Sequence, residues 1–225
     1  MVQIWGQKKQ RFGRYLNQSV KLNLMNQMEY GKENFEKKIE IAAVTPDDER
    51  GMAEVFYKTW LDTYPNEEAG ITIDDIEDRY KDTFTEESLR KRRERTANLP
   101  EGENLILAKE NEKVVGVCRA IRHPDKNQIQ ALYVLPEYQG RGVGRLLWEE
   151  AQKSFDLNKD IIVQVATYNS KAIGFYEKLG FEDTGKRWKD DKFKMKSGAM
   201  MPEMEMVIRP KTLDYSDRNK DGRRI

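Results

Sequence analysis

Hydrophobic positions along this 225-residue chain come in short runs, and their spacing changes from one run to the next. Residues 39–44 (IEIAAV) read as a strand. Beyond them Asp47 or Asp48 can cap a helix running to about Tyr64, with Met52, Val55, Phe56, Trp60 and Leu61 on its inner side. Residues 73–95 form a second helical stretch whose charges of both signs read as a solvated face. It breaks near Thr83 and Thr85, where a new cap can start residues 86–95. Residues 104–109 and 114–121 are strands joined by a turn at Glu110, Asn111 and Glu112, and His123, Pro124 and Asp125 turn the chain into a third strand at 129–134. These three predict an antiparallel meander. A glycine-rich loop at 139–144 then opens a helix to about Phe155, followed by a β-rich run at 161–166, a helix at 171–179, and strands at 181–186 and 204–208. This order is neither a Rossmann alternation nor an all-β sandwich. It predicts an α/β fold of the α+β kind, a mixed sheet with helices packed on it.

The two ends carry a different pattern. Residues 1–36 are polar, rich in Asn and Gln, with scattered aromatics at Trp5, Phe12, Tyr15 and Tyr30, and are expected to form a flexible extension ahead of a domain at 37–209. Residues 210–225 read as a polar tail. Asp217, Asn219, Asp221 and Gly222 are spaced like part of a calcium loop, but the closing Glu such a loop needs is missing. The longest apolar run is far short of the roughly 20 residues of a membrane helix, and no apolar segment matches a secretory leader, so the expected compartment is the cytoplasm, with no membrane partner. With 40 Lys plus Arg against 39 Asp plus Glu, the chain has no overall attraction for nucleic acid, and the basic run at 90–95 lacks interleaved aromatics. A lone Cys118 and a lone His123 exclude an internal disulfide and the common zinc motifs, and no metal is expected. A homodimer is left open.

The main chemical signal is the segment from Ala131 to Ala151 (ALYVLPEYQGRGVGRLLWEEA). A strand runs into glycines at 140, 142 and 144, and the helix that follows has Val143, Leu146, Leu147 and Ala151 at helical spacing. Glycines let backbone N–H groups converge, and a helix N-terminus adds about half a positive charge, so the expected guest is a phosphate or pyrophosphate. Arg141 and Arg145 can add point charges. Arg145 and Leu146 stand where a P-loop requires Lys and Ser or Thr, which disfavours nucleotide hydrolysis. Arg145 and Leu147 stand where a dinucleotide fingerprint requires its third glycine.

The pattern Gln139-x-x-Gly142-x-Gly144 after Leu132-Tyr133-Val134, followed by Asn169-x-x-Ala172-x-x-Phe175-Tyr176-Glu177-Lys178-Leu179-Gly180-Phe181, resembles the GNAT superfamily of acyl-CoA-dependent N-acetyltransferases. The resemblance is strongest over 128–181, and the element order extends it over about 38–209. It implies a sheet splayed open between the strands at 129–134 and 161–166, with acetyl-CoA as acyl donor in the opening. Backbone N–H groups from Gln139 through Gly140, Arg141, Gly142 and Val143 to Gly144 would then bind the pyrophosphate, and the Leu132, Tyr133, Val134 edge would pair with the pantetheine arm like an added strand. Val134 N–H would donate to the thioester oxygen, where negative charge develops. Tyr176 would be the general acid that protonates the departing thiolate, and Asn169 would hold the pantetheine or cap the helix. Cys118 has no adjacent His and reads as a buried structural thiol.

At the base the sequence departs from the family: many members carry Glu where Gln128 stands, so deprotonation of the amine is unassigned. Water with backbone carbonyls, Glu67, Glu68, Tyr64 and Tyr133 are the substitutes considered. The resemblance places the acceptor pocket at about 57–85 and 187–203. Tyr57, Trp60, Tyr64 and Pro65 look like the first helix of small bacterial acetyltransferases that include spermidine and spermine acetylators. Trp60, Tyr64, Glu67 and Glu68 are the candidate acceptor contacts, and the acids at 67, 68, 74, 75, 77 and 78 would attract a polycation. The expectation is an N-acetyltransferase acting on a primary amine, a small polyamine slightly ahead. A protein N-terminal or lysine acetyltransferase is the second enzyme reading, and a non-catalytic acyl-CoA-binding module is the rival of another class.

Overall fold

A computed structural model describes residues 38–210, and the fold belongs to the compact unit that begins at Glu40. Of the extension expected at 1–36 and the tail at 210–225, all but Pro210 lies outside the described residues. Seven strands form one sheet in the order β1-β2-β3-β4-β5-β7-β6: β1 Ile39–Ala43, β2 Glu103–Glu110, β3 Lys113–Arg122, β4 Asn127–Val134, β5 Ile161–Ala166, β6 Glu182–Lys189 and β7 Pro202–Ile208. The expected meander is β2-β3-β4, antiparallel throughout, and its first turn uses Asn111 at φ 50°, a left-handed position that Asn tolerates. Five helices connect the strands: α1 Glu49–Thr63, α2 Ile73–Tyr80, α3 Glu86–Ala97, α4 Val143–Gln152 and α5 Ser170–Lys178. The predicted break between α2 and α3 is present, and Thr85 caps α3 by accepting from Ser88 N–H.

The pairing between β4 and β5 positions everything else. These strands run parallel and pair at Asn127–Ile161, Gln128–Ile162 and Ile129–Val163, after which residues 130–134 and 164–166 continue without pairing to each other. The cause lies on the other side of β4. Against β3 the register steps from Ala120–Ile129 to Arg119–Ala131, which leaves Gln130 as an extra residue on β4. Such a bulge bends its strand and increases the local twist, so β4 swings away from β5 at the residue where their pairing ends. The closed end of the gap is held by Asn127, which is fully buried. Its backbone N–H donates to Asp160 O (2.8 Å), its Nδ2 donates to Asp156 O (2.8 Å), and its Oδ1 accepts from Asp156 N–H (3.1 Å).

Alternation along β4 sends neighbouring side chains to opposite faces of the sheet. Tyr133 meets Phe56 of α1 and Tyr64 just past its end, whereas Leu132 lies beside Gly144 of α4. Helix α1 therefore covers one face, and α4 with α5 covers the other. The second contact is close: a Cβ at Gly116 of β3 would stand 3.0 Å from Leu147 and 3.3 Å from Val143, so glycine is required where α4 settles on the sheet. On α4 the buried residues are Val143, Leu147, Trp148 and Ala151. Leu146, expected to face inward, is 39% exposed, because Trp148 and its packing on Phe155 and Phe181 set the roll of the helix. On α1 the inward set is Met52, Ala53, Val55, Thr59 and Trp60, with Phe56 and Leu61 only half-buried.

Candidate functional site

The open end of the gap presents backbone chemistry from β4. Leu135 N–H donates to Val115 O (2.9 Å), so in the alternating ladder the N–H and C=O of Val134 and Leu132 point away from β3 and into the gap. Val134 C=O accepts from Gln139 Nε2 (3.2 Å), which ties the glycine loop to the strand end. Val134 N–H keeps the gap direction. In the loop, Gly140 and Gly142 have φ of 74° and 84°, and an added Cβ at either would meet nothing within 4 Å. They are there for backbone conformation. Gly142 is the N-cap of α4, so the N–H groups of Val143, Gly144 and Arg145 open the helix without intrahelical acceptors. Gly144 serves packing instead: its Cβ would stand 3.3 Å from the Phe175 ring.

Three residues of the expected cradle have partners within the fold. Gln139 N–H closes a turn on Pro136 O (3.2 Å) and does not join the converging donors. Arg145 pairs with Glu149 one turn along the helix (2.9 Å), and Arg141 lies over the Tyr138 ring at 5.0 Å. Both arginines are exposed at the mouth. The donors that converge there are backbone groups.

Helix α5 brings Tyr176 to the gap from the opposite side. Asn169 caps it, Oδ1 accepting from Ala172 N–H (3.1 Å), as the capping alternative expected. Its C-terminus closes with Gly180 at φ 95°, where Gly180 N–H donates to Glu177 O and Phe181 N–H to Tyr176 O. This is a Schellman arrangement, and it folds Phe181 back on Tyr176 at 5.3 Å between ring centres. Tyr176 is 6% exposed, lies edge-to-face with Phe175 as well, and makes no hydrogen bond to a protein group among the described residues. Burial pushes its phenol well above the ordinary value, and Cys118 and Tyr133 add to the rise. Cys118 is fully buried in β3, and burial pushes its thiol up to about 12.

On the α1 face, Tyr64 and Tyr133 share a hydrogen bond between hydroxyls (3.1 Å), and Tyr168 OH donates to Tyr64 O (2.9 Å). Burial raises the phenols of both Tyr64 and Tyr133, which keeps them protonated and removes them as bases. Trp60 is 5% exposed and packs on Tyr64, Tyr80 and Phe193, with Arg79 stacked over it at 4.9 Å. Trp60 and Tyr64 thus belong to a packed cluster with Ile71, Ile76, Met195 and Met201. Glu67 and Glu68 are exposed beyond the end of α1, and Glu67 lines a shallow hollow with Asn66, Ile71 and Thr72.

Two acids of the expected cluster, Asp75 and Asp78, have partners of their own. Asp75 is 3% exposed and accepts from Thr72 N–H and Oγ1 and from Ser197 N–H (2.8 Å) and Oγ (2.9 Å), so it caps α2 and anchors the β6–β7 loop at once. Burial opposes its charge, but those four bonds prevail and hold its carboxyl below the usual value. Asp78 faces Lys81 and Lys196. Gln128, at the family's acid position, contacts His123 Nε2 at 3.1 Å through Oε1. Sequence reasoning missed the Gln130 bulge, the Asn127 clamp and the buried carboxylate of Glu203 on β7.

An unpaired strand edge that ends in a turn of converging N–H groups is a site for an extended ligand with an anionic end. Residues 73–181 match the family described as the acetyltransferase (GNAT) family. It is 45% identical over 71 residues to a probable N-acetyltransferase of Mycobacterium tuberculosis, a match covering 31% of this chain and 40% of that protein. Over 94 residues it is 34% identical to the peptidyl-lysine N-acetyltransferase YjaB of Escherichia coli, covering 41% of this chain and 58% of the relative. The chain thus matches 40 to 58% of the length of these two curated relatives. Among solved structures, a PaiA N-acetyltransferase from Thermoplasma acidophilum in complex with coenzyme A superposes with a TM-score of 0.55 at 22% identity, over 75% of this chain and 98% of that one. The ribosomal-protein-S18-alanine N-acetyltransferase of Escherichia coli gives 0.52 at 17% identity, over 77% and 94%. At these identities the likeness is one of fold.

Proposed function

We propose that this protein is an N-acetyltransferase that moves an acetyl group from acetyl-CoA directly to a primary amine, with the side chain of a peptide or protein lysine as acceptor. The observation that carries the reading is the parting of β4 from β5, with unpaired backbone along β4 and N–H groups converging where that strand ends. These groups fit an amide-bearing arm with a diphosphate tail, because each takes a hydrogen bond that the fold does not supply. Bound there, acetyl-CoA supplies a thioester carbon open to attack by an amine.

The chain's own residues then have distinct tasks. The N–H groups of Gly140, Arg141, Gly142, Val143 and Gly144 hold the pyrophosphate, and Arg141 and Arg145 add charge from the rim. The Leu132, Tyr133, Val134 edge orients the arm, and Val134 N–H donates to the thioester oxygen as it gains negative charge. Asn169 fixes the start of α5. Tyr176 gives its proton to the leaving thiolate. Its raised phenol pKa keeps that proton in place, and the same desolvation raises the thiolate's proton affinity, so donor and acceptor stay in step.

The choice of lysine over a small polyamine follows from two things. Of the acids expected to draw a polycation, Asp75 is buried against Thr72 and Ser197, and Asp78 pairs with Lys81 and Lys196 at the surface. The curated relative YjaB is named for peptidyl-lysine. The test is a thiol-release assay with acetyl-CoA and a panel of lysine peptides, N-terminal amines, spermidine and spermine, beside calorimetry of acetyl-CoA. Release with lysine peptides supports the reading. Release with polyamines alone overturns the acceptor, and tight acetyl-CoA binding without release from any amine leaves a non-catalytic binding module.

A further inference from the structure

The two walls of the gap offer different chemistry. On the α4 and α5 side stand the converging N–H groups and Tyr176, which suit the diphosphate and the departing thiolate. The amine therefore enters along the α1 side, where Tyr133 projects and is only half-buried. Tyr64 and Tyr133 join their hydroxyls by one hydrogen bond (3.1 Å). One bond uses one hydrogen, so whichever phenol donates, the other keeps an O–H with no acceptor among the described residues. Trp60 Nε1 approaches the Tyr133 oxygen without reaching hydrogen-bond geometry, and it is buried with no other acceptor.

The neighbours of this pair are donors too. Tyr80 packs on Trp60 at 5.5 Å, and its hydroxyl makes no hydrogen bond to a protein group among the described residues. Arg79 lies over Trp60 at 4.9 Å and over Phe193 at 5.3 Å, which holds the guanidinium in place while it forms no ion pair among the described residues. Arg92 reaches Thr83 Oγ1 (3.2 Å), and its Nε is buried without an acceptor. Burial raises the Tyr80 phenol, Tyr133 adds to the rise, and Arg79 and Arg92 oppose it. The formal charges felt there are positive. The acids of this region do not answer these donors. Asp75 is enclosed by Thr72 and Ser197, Asp78 pairs with Lys81 and Lys196, and Glu54 pairs with Lys58. Asp62, Glu67, Glu68, Asp74 and Glu77 are exposed, where water and salt screen them. Glu203 is 6% exposed and has an interaction of its own, and its charge reaches Tyr133 rather than Tyr80.

We propose that this donor-rich wall selects acceptors that carry a carboxylate beside the reacting amine, with Arg79 holding the carboxylate and the hydroxyls of Tyr80 and of the Tyr64–Tyr133 pair completing its hydrogen bonds. The inference rests on the acetyltransferase reading and names which lysines it takes: those next to an acidic side chain or to a chain-terminal carboxylate. A carboxylate accepts at both oxygens and donates at neither, so it matches groups that have hydrogens and no acceptors. Its bond with a guanidinium is charge-assisted, and the planar fork of arginine suits it. A polyamine brings donors and positive charge, and it meets Arg79 as a like charge. No covalent bond changes in this contact. It places the amine before attack on the thioester.

The experiment measures thiol release with the full chain, acetyl-CoA and three N-acetylated lysine peptides. One has alanines around the lysine and an amidated end, one has a glutamate beside the lysine and an amidated end, and one ends on the lysine with its carboxylate free. In the parent protein each carboxylate peptide is expected to exceed the alanine peptide in kcat/KM by about tenfold, the worth of one charged hydrogen bond. The gain should lie in KM rather than kcat, because the contact is the same before and during attack, and it should shrink as salt is raised. A gain with either peptide supports the proposal, and the larger gain gives the source of the carboxylate. Arg79→Gln should bring the three peptides within about threefold of one another by lowering the carboxylate peptides alone, with acetyl-CoA affinity by calorimetry unchanged. Arg79→Lys should keep part of the gain. If Arg79→Gln does not fold, Arg79→Lys and the salt dependence of the parent carry the test. A parent that shows no gain with either carboxylate, or an Arg79→Gln variant that keeps the gain or loses equally with all three peptides, overturns the proposal. A parent that releases thiol with none of the peptides overturns the acetyltransferase reading itself, which the comparison among peptides alone does not.

Discussion

Asn127→Leu tests how the closed end of the gap is held. The substitution keeps roughly the volume of the side chain and removes its donor and acceptor, leaving Asp156 O without its 2.8 Å donor and Asp156 N–H without its 3.1 Å acceptor. Each orphaned group costs about 1–3 kcal/mol when water is excluded. Asp156 is half-buried, so the low end applies, and added apolar burial by the leucine offsets about 1 kcal/mol. The expected net loss is about 1–3 kcal/mol, or about 2–10 °C in Tm for a unit of this size. Urea unfolding followed by tryptophan fluorescence measures it. Asn127→Asp should do worse, because it sets a second acceptor against the carbonyls of Asp156, Lys159 and Asp160 and buries a charge. A loss below about 0.5 kcal/mol for Asn127→Leu, or an aspartate variant more stable than the leucine one, would refute the account of Asn127 as the clamp.

Tyr176→Phe should retain acetyl-CoA binding within threefold and lose about 10²–10⁴-fold in thiol release; an unchanged rate would exclude the phenol as the acid. Gly142→Ala forces a side chain into φ 84° and should destabilise the protein by about 1 kcal/mol while weakening acetyl-CoA binding, with calorimetry and a thermal melt as the two readouts. Asp75 is depressed below 3.8 in the fold, so its stabilisation is complete above that value and fades as pH falls through the folded one. Asp75→Asn should therefore be less stable at neutral pH, with the difference from the parent narrowing below about pH 4; a constant difference would contradict the hydrogen-bond assignment. Cys118, with its thiol near 12, should resist thiol reagents at pH 8 at anything faster than the unfolding rate, and rapid labelling of the native protein would show the site to be open.

What could be read in the sequence was what short-range chemistry decides. The cap at Thr85, the glycine turn before Val143 and the left-handed Gly180 are each specified within a few residues, and all appear where expected. What escaped needs a distant partner. The bulge at Gln130 exists only in the register of β4 against β3, and the three glutamines at 128, 130 and 164 give no local sign of it. Asn127 becomes a clamp through backbone 29 residues away. Asp75 looked like one acid in a charged run, and its burial depends on Ser197, 122 residues later. The inward turn of Trp148, which exposes Leu146, is settled by Phe155 and Phe181 rather than by helix periodicity. The strand expected at 204–208 stops short of Glu203, whose burial depends on its pairing with Ala166 of β5.

The bond from Gln139 to the Val134 carbonyl has a consequence for solution behaviour. Unsatisfied strand edges invite pairing by other chains, the usual route to aggregation. Here the outermost carbonyl is stoppered by the protein's own glutamine, and the rest of the edge lies between walls formed by α1 and by α4 with α5. A neighbouring molecule has no lateral approach along which to lay a strand. The protein can thus keep open a feature that, on the rim of a sheet, would glue copies of it together.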